Sequence, residues 1–314
     1  MRIKIRRGWE IPEREATPEE IYLSRRQFIK KMGVASIGAV AVLSGIDRVT
    51  AGVNRGDGIY PAKRNPKYVL DRPITDEWAT AHYNNFYEFT TDKERVAELV
   101  GKFQIRPWTI EVTGMVAKPK VYDVDALLKS MPIEERLYRH RCVEAWAMAV
   151  PWTGFPLKAL IDLVQPLSTA KYVRMISFNK PEEAPGMRSQ SWYAWPYYEG
   201  LRMDEAVNEL ALMVVGIYGH ELPKQNGAPI RLVTPWKYGY KSIKSIVKIE
   251  FIDKQPRTFW NDVAPNEYDF FSNVNPKVPH PRWSQAYERL IPHNERRATL
   301  LYNGYEKFVA PLYN

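Results

Sequence analysis

The chain has 314 residues, 45% of them apolar, a single cysteine and a formal charge of +9. That suffices to bury one large core or two modest ones, which excludes a disordered chain and a disulfide-stapled miniature. Ten Lys/Arg and six Asp/Glu fall in residues 1–51, leaving 35 basic against 30 acidic residues beyond them. These are scattered, with no Lys/Arg run or reading-helix motif, so nucleic-acid binding is set aside. Twenty-four prolines with ten Trp, nineteen Tyr and eleven Phe predict a loop-rich fold with substantial strand content.

In chain order, Ser24-Arg25-Arg26-Gln27-Phe28-Ile29-Lys30 precedes a weakly apolar run from Met32 to Ile46, and Val49-Thr50-Ala51 supplies small residues for cleavage. S-R-R-x-F-x-K directly before such a run resembles a twin-arginine export signal; the paired arginines followed by Phe28 argue against an ordinary Sec signal, and a run diluted by Gly33, Ser36, Gly38 and Ser44 is too short and polar for a membrane anchor spanning about 30 Å of hydrocarbon. Residues 52–75 read as a linker or wrapping segment. His82 to Phe89 sets amides and a carboxylate among aromatics, and Asn84-Asn85 by itself reads as a surface turn. Asp92 is expected to cap a helix from Lys93 to Phe103, where Val96, Leu99, Val100 and Phe103 recur at helical spacing. Trp108 to Val116 alternates as a half-buried strand, and Val124 to Met131 is a short helix.

Glu134 to Arg141 is predicted as a strand that delivers Cys142 to a loop, with Pro151 and Gly154-Phe155-Pro156 enforcing irregular backbone after it. Arg139, His140 and Arg141 predict a thiol ready to ionise, since neighbouring cations favour the thiolate. The bland alternative is a buried cysteine acting as a small hydrophobe. A lone cysteine behind an export signal argues against a structural role, because oxidising compartments favour paired ones. Leu157 to Val164 reads as a helix; Tyr172 to Phe178, Ala211 to Tyr218 and Ser245 to Asp253 read as strands. Trp192, Tyr193, Trp195, Tyr197 and Tyr198 crowd one segment, as core aromatics with polar rims or as a pocket wall. Around the Gly239 loop, Arg231, Lys237, Lys241 and Lys244 are set to hold a phosphate. No Walker or G-x-G-x-x-G pattern accompanies them. Beyond Pro256 the chain is expected to wrap the body.

Three stretches then combine: Tyr83-Asn84-Asn85-Phe86-Tyr87-Glu88, Arg141-Cys142-Val143-Glu144-Ala145-Trp146, and Gln225-Asn226-Gly227-Ala228-Pro229 with Trp236-Lys237-Tyr238-Gly239. Together they resemble the molybdopterin-binding domain of the sulfite oxidase superfamily, most closely the periplasmic protein-methionine-sulfoxide reductase catalytic subunits of the MsrP type. The resemblance covers nearly the whole chain. It implies an α+β, strand-rich sulfite-oxidase-type fold with short helices, a twin-arginine signal in 1–51 and a single catalytic domain in 52–314. It also implies one molybdenum per chain, held by Cys142 and a molybdopterin. The pterin and its phosphate fall to Asn84, Tyr87, Glu88, Ser177, Asn226, Arg231 and the Ser242-Ile243-Lys244 segment. A thiolate suits a metal already held by dithiolene sulfurs.

The implied reaction is oxygen-atom transfer from methionine sulfoxide in oxidised periplasmic proteins. A thiol-based route resolves through a second thiol that this chain lacks. With no C-x-x-C-H haem attachment or cysteine cluster, electrons are expected from another protein, which the resemblance implies is a membrane haem-b, quinol-linked subunit of the MsrQ type; the export signal implies passage through the Tat translocase. The alternatives are a sulfite-oxidising or other sulfoxide- or N-oxide-reducing molybdoenzyme, with Arg139 and Arg141 at the metal mouth, a Cys–His hydrolase, and a non-enzymatic binding module. The hydrolase would pair Cys142 with His82, His140, His220, His280 or His293. His140 is expected to face away, because strand neighbours alternate.

Overall fold

The computed structural model describes residues 58–313; the expected export signal lies outside them. Side-chain alternation decides the first sheet. In β1 (Thr109–Gly114) Ile110 and Val112 are fully buried between exposed or half-exposed neighbours. It pairs in parallel with β10 (Ile246–Ile252) and antiparallel with β2 (Lys120–Asp123). Antiparallel β5 (Tyr172–Ser177) and β6 (Tyr198–Arg202) complete a sheet ordered β2-β1-β10-β5-β6.

The second sheet has seven strands and is built on a long hairpin. Its arms are β3 (Glu134–Arg141), with the bounds expected from sequence, and β4 (Trp146–Pro156). A tight turn, Cys142 to Ala145, joins them: the Ala145 N–H donates to Cys142 O at 3.1 Å and Ala145 takes φ 62°. On its other side β4 pairs with β7 (Leu212–Ile217) and, in parallel, with β11 (Tyr287–Leu290). β8 (His220–Glu221), β9 (Arg231–Val233) and β12 (Glu295–Ala298) extend the edges.

The irregular backbone expected at Pro151 and Gly154-Phe155-Pro156 is reduced to one register shift at Thr153/Gly154, since all of them lie inside β4. Pro151 is tolerated because its nitrogen points away from β3, into the gap between the residues that pair with β11 (146–147) and those that pair with β7 (152–156). Gly154 sits at a register shift where a Cβ would collide with the Met213 carbonyl. The helix expected from Lys93 to Phe103 shrinks to Val96–Leu99 with a 3-10 turn to Lys102, and Asp92 caps a turn through Glu94 N–H instead. Leu157–Val164 is helical as expected, burying Leu157, Leu160, Ile161 and Val164.

Both ends of the described chain brace the second sheet. Residues 58–75 run beside β3, where Asn65 N–H donates to Glu135 O at 2.8 Å and Glu135 N–H to Lys63 O at 2.9 Å. Thr75 exchanges bonds with Ala149. At the other end Tyr313 enters a buried ionic knot. Lys237 Nζ, fully buried, meets Glu205 Oε1 at 2.5 Å and Asn273 Oδ1 at 2.9 Å, while Tyr313 donates to the same carboxylate at 2.6 Å and accepts from Trp236 Nε1. Removing one partner of such a pair leaves a charge dry and unanswered. Glu205→Ala is therefore expected to cost about 3–5 kcal/mol in chemical denaturation, and Tyr313→Phe about 1 kcal/mol.

Candidate active site

The thiol turn faces a cleft whose empty volume, open mouth included, is about 970 Å³. Period two explains its floor, because Trp146, Met148, Val150 and Trp152 occupy alternate positions of β4 and all line it. His140 lines it too, opposite Met148. The expectation that His140 faces away is therefore wrong: it stands two residues from Cys142, not one, and residues two apart share a face. The walls are the loop Tyr83 to Glu88, the turn at Asn226, the start of β9 at Arg231, and Ser242 to Lys244.

Cys142, Asn84, Tyr87, Glu88, Asn226, Arg231, Ser242, Ile243 and Lys244 thus lie around one space. Ser177 does not line it. Its hydroxyl turns away to donate to Lys244 O at 2.8 Å, so it braces the Lys244 segment from behind. Lys237 and Lys241 are also absent from the cleft, each being spent on a buried carboxylate, Lys237 on Glu205 and Lys241 on Glu199 at 2.7 Å. Arg139 reaches Asp71, and Arg141 is buried against Glu288, Gln285 and Thr299; neither lines the cleft.

Amides knit the walls together. Asn226 Nδ2 donates to Asn84 Oδ1 and to Thr80 O, both at 3.1 Å, and Asn84 Nδ2 donates to Ala81 O. Gly227, at φ +100°, lets the Lys244 stem pass where any Cβ would lie 2.7 Å from it. Lys244 Nζ then donates to Asn85 O at 2.6 Å. Two carbonyls of the thiol turn are fixed from the C-terminal segment and β3: Val143 O accepts from Trp283 Nε1 at 2.7 Å and Gln285 Nε2 at 2.6 Å, and Cys142 O from Arg141.

The thiol is less ready to ionise than its neighbours in sequence suggest. Burial first, then Glu144, push it up to about 12, outweighing Arg141 and Lys93. Two N–H groups nevertheless point at the sulfur, Asn85 Nδ2 at 3.3 Å and Glu144 N at 3.4 Å, and both favour a thiolate once a metal's charge displaces the proton. Asn85 is the functional residue that sequence reasoning passed over; its signal was the amide pair among aromatics, read as a surface turn. Burial raises the Glu144 carboxyl, but Lys93 at 3.1 Å and hydrogen bonds from Asn85 and Trp146 overcome that and leave it below its ordinary range. His140 falls to about 3 through burial, with Arg231 and Lys244 adding to it. A neutral imidazole facing a thiol of this kind makes a poor hydrolase pair.

Arg231 decides what kind of ligand fits. Its guanidinium is 3% exposed and donates only to carbonyls, Asn226 O at 2.8 Å, Ser242 O at 3.1 Å and Leu232 O at 3.3 Å. Burial alone lowers it to about 9, and no carboxylate among the described residues pairs with it. A dry cation supported by carbonyl dipoles and the face of Trp152, 5.1 Å away, with no carboxylate beside it, suits an anion such as a phosphate. Among the described residues no three His, Cys, Asp or Glu cluster to hold a metal, so a metal at Cys142 draws its other ligands from a bound molecule. Thiol, buried cation and amide-lined walls together fit a phosphorylated, metal-carrying cofactor.

The family model for the oxidoreductase molybdopterin binding domain matches residues 97–260. The protein-methionine-sulfoxide reductase catalytic subunit MsrP of Burkholderia mallei is 49% identical, covering 98% of this chain and 94% of that one. The chain belongs to the MsrP family. The MsrP proteins of Ralstonia nicotianae and Pseudomonas syringae pv. tomato are 47% and 46% identical over 98% and 96% of this chain, and 95% and 94% of theirs. The sulfane dehydrogenase SoxCD from Paracoccus pantotrophus aligns at 14% identity and TM-score 0.45, over 85% of this chain and 65% of that chain, a likeness too loose to add to the family assignment. The strand-rich α+β fold with short helices is the one the MsrP resemblance implied.

Arg231→Met is expected to move the thermal midpoint of the cofactor-free chain by only a few degrees. The same variant, made in a host that supplies molybdopterin, should retain roughly 10–100-fold less molybdenum by elemental analysis, since a charge-assisted contact of about 1.5–3 kcal/mol is lost. Full metal retention would contradict an anion site at Arg231.

Proposed function

We propose that this chain is the catalytic subunit of a periplasmic, molybdenum-dependent reductase that removes oxygen from methionine sulfoxide residues in proteins. The observation that carries the reading is a lone thiol sharing one cleft with a buried arginine that has no carboxylate partner. When bound, the molybdopterin supplies two-electron oxygen-atom transfer. Cys142 would be the protein's ligand to the metal; Asn84, Tyr87, Glu88 and Asn226 would hold the pterin, and Arg231 with Lys244 would meet its phosphate. Asn85 orients the sulfur through its amide N–H. Ser177 acts only through the Lys244 segment it supports.

The sequence holds a single cysteine, so a route through two thiols of this chain is closed and electrons have to come from outside it. The relatives' designation as catalytic subunits supports a partner subunit, proposed here as a membrane haem-b protein of the MsrQ type fed by quinol. The proposed route outward is the Tat translocase, reading the signal in residues 1–51, and one molybdenum is proposed per chain.

Sulfite oxidation is disfavoured by charge. The Glu144 carboxylate beside the thiol is answered by Lys93 at 3.1 Å, and Arg139 and Arg141, which an anionic substrate would require there, are engaged elsewhere, so neither is free to meet an anion. A neutral sulfoxide needs no such counter-charge. Enzyme from a cofactor-supplying host should therefore reduce a sulfoxide-containing peptide with an artificial electron donor far faster than it oxidises sulfite. Sulfite turnover in excess would overturn the reading. Cys142→Ala should abolish peptide reduction, and Asn85→Leu should lower kcat roughly 10–100-fold, as expected for a group that orients a metal ligand.

A further inference from the structure

An aromatic path leads from the cleft to solvent. Tyr87, Trp260 and Tyr268 line the cleft, with Trp260 5.3 Å from Tyr87 and 5.1 Å from Tyr268. Trp260 contacts Tyr193 at 6.2 Å, and Tyr193 contacts Trp192 at 5.8 Å. Trp192 is 71% exposed, an unusual state for a tryptophan that contributes nothing visible to the core. The path is rigid underneath: Phe259, 1% exposed, stacks against Trp195 at 5.3 Å and Tyr197 at 4.7 Å. It is also tied to the cleft wall, because Trp195 Nε1 donates to Gln190 O and Gln190 Nε2 donates to Tyr87 O at 2.7 Å. Asp262, on the Trp260 helix, is already engaged by Tyr198 and Arg257, so the ledge presents rings with its adjacent acid neutralised.

We propose that the ledge Trp192–Tyr193–Trp260 docks an extended, apolar segment of the substrate polypeptide while the oxidised methionine beside that segment enters the cleft. This rests on the sulfoxide-reductase reading. A sulfoxide held within a polypeptide carries flanking chain that has to lie across the mouth, and the ledge is continuous with that mouth through Trp260. Tryptophan and tyrosine give large contact area with little rotamer entropy to lose, and a surface already ordered loses less still on binding. A strongly acidic flank gains nothing from ring faces, whose electron density repels negative charge.

The test uses holoenzyme without reductant, so that binding is read apart from turnover. Fluorescence anisotropy compares two labelled peptides, each with a central methionine sulfoxide, one with Leu and Phe flanks and one with Asp flanks. The apolar peptide should bind wild type roughly tenfold more tightly, and Trp192→Ser should remove most of that preference. Trp192 lies outside the packed interior, so the variant should fold; near-ultraviolet circular dichroism confirms it. Equal binding of the two peptides to wild type, or a preference that survives in both Trp192→Ser and Tyr193→Ala, would overturn the proposal. Turnover of the two sulfoxide peptides with an artificial electron donor separates the two readings: reduction of neither would remove the reductase assignment, whereas reduction of both without flank preference in binding would remove the ledge alone.

Discussion

Desolvation governs this site. A guanidinium, an ammonium, an imidazole and a thiol are all drawn out of water around one cleft, and each responds as burial demands. The imidazole stays neutral and the thiol keeps its proton. Lys244 is pushed toward neutrality, chiefly by burial and then by Arg231. Only Arg231, whose ordinary value is highest, keeps its charge outright, with carbonyls as its partners. The fold thus holds a cation in the dry at some cost to itself, and a bound anion would offset that cost. Binding of the cofactor and stability of the fold are coupled through this one group.

Geometry does the rest through a hairpin. The first seven residues of β4 put every second side chain on the cleft floor, and the turn at its start aims the thiol over them. That turn is too short to hold itself. Its Val143 carbonyl is gripped by Trp283 and Gln285 from a segment about 140 residues later, and Arg141, which donates to Cys142 O, is pinned beneath it by Glu288, which also binds Arg72 at 2.7 Å. The wrapping ends of the chain therefore take part in placing the sulfur. Arg139 and Arg141 are held by this scaffold, and the pull of Arg141 on the thiol is outweighed by burial and Glu144.

Local pattern made the elements legible where it agreed with packing. Leu157–Val164 is legible with the observed bounds because its apolar period is unbroken, and Glu134–Arg141 matches its expected bounds although its sequence carries no apolar alternation. Pro151 misled because a proline's effect depends on which way its nitrogen points, and that follows from pairing partners far along the chain. The cations misled for a similar reason: Lys237 and Lys241 look like companions of Arg231 in sequence, yet Glu205 and Glu199, distant in sequence, claim them. Most of the cleft residues came from a family resemblance that gathers three separated stretches. Asn85 needed the structure, since an amide's importance lies in what it touches.

The bond between sulfur and metal is the most exposed point. X-ray absorption at the molybdenum edge, on holoenzyme and on a Cys142→Ser variant that still holds the metal, counts sulfur neighbours directly. One fewer sulfur in the variant is the expected result; an unchanged count would show that Cys142 is not a ligand.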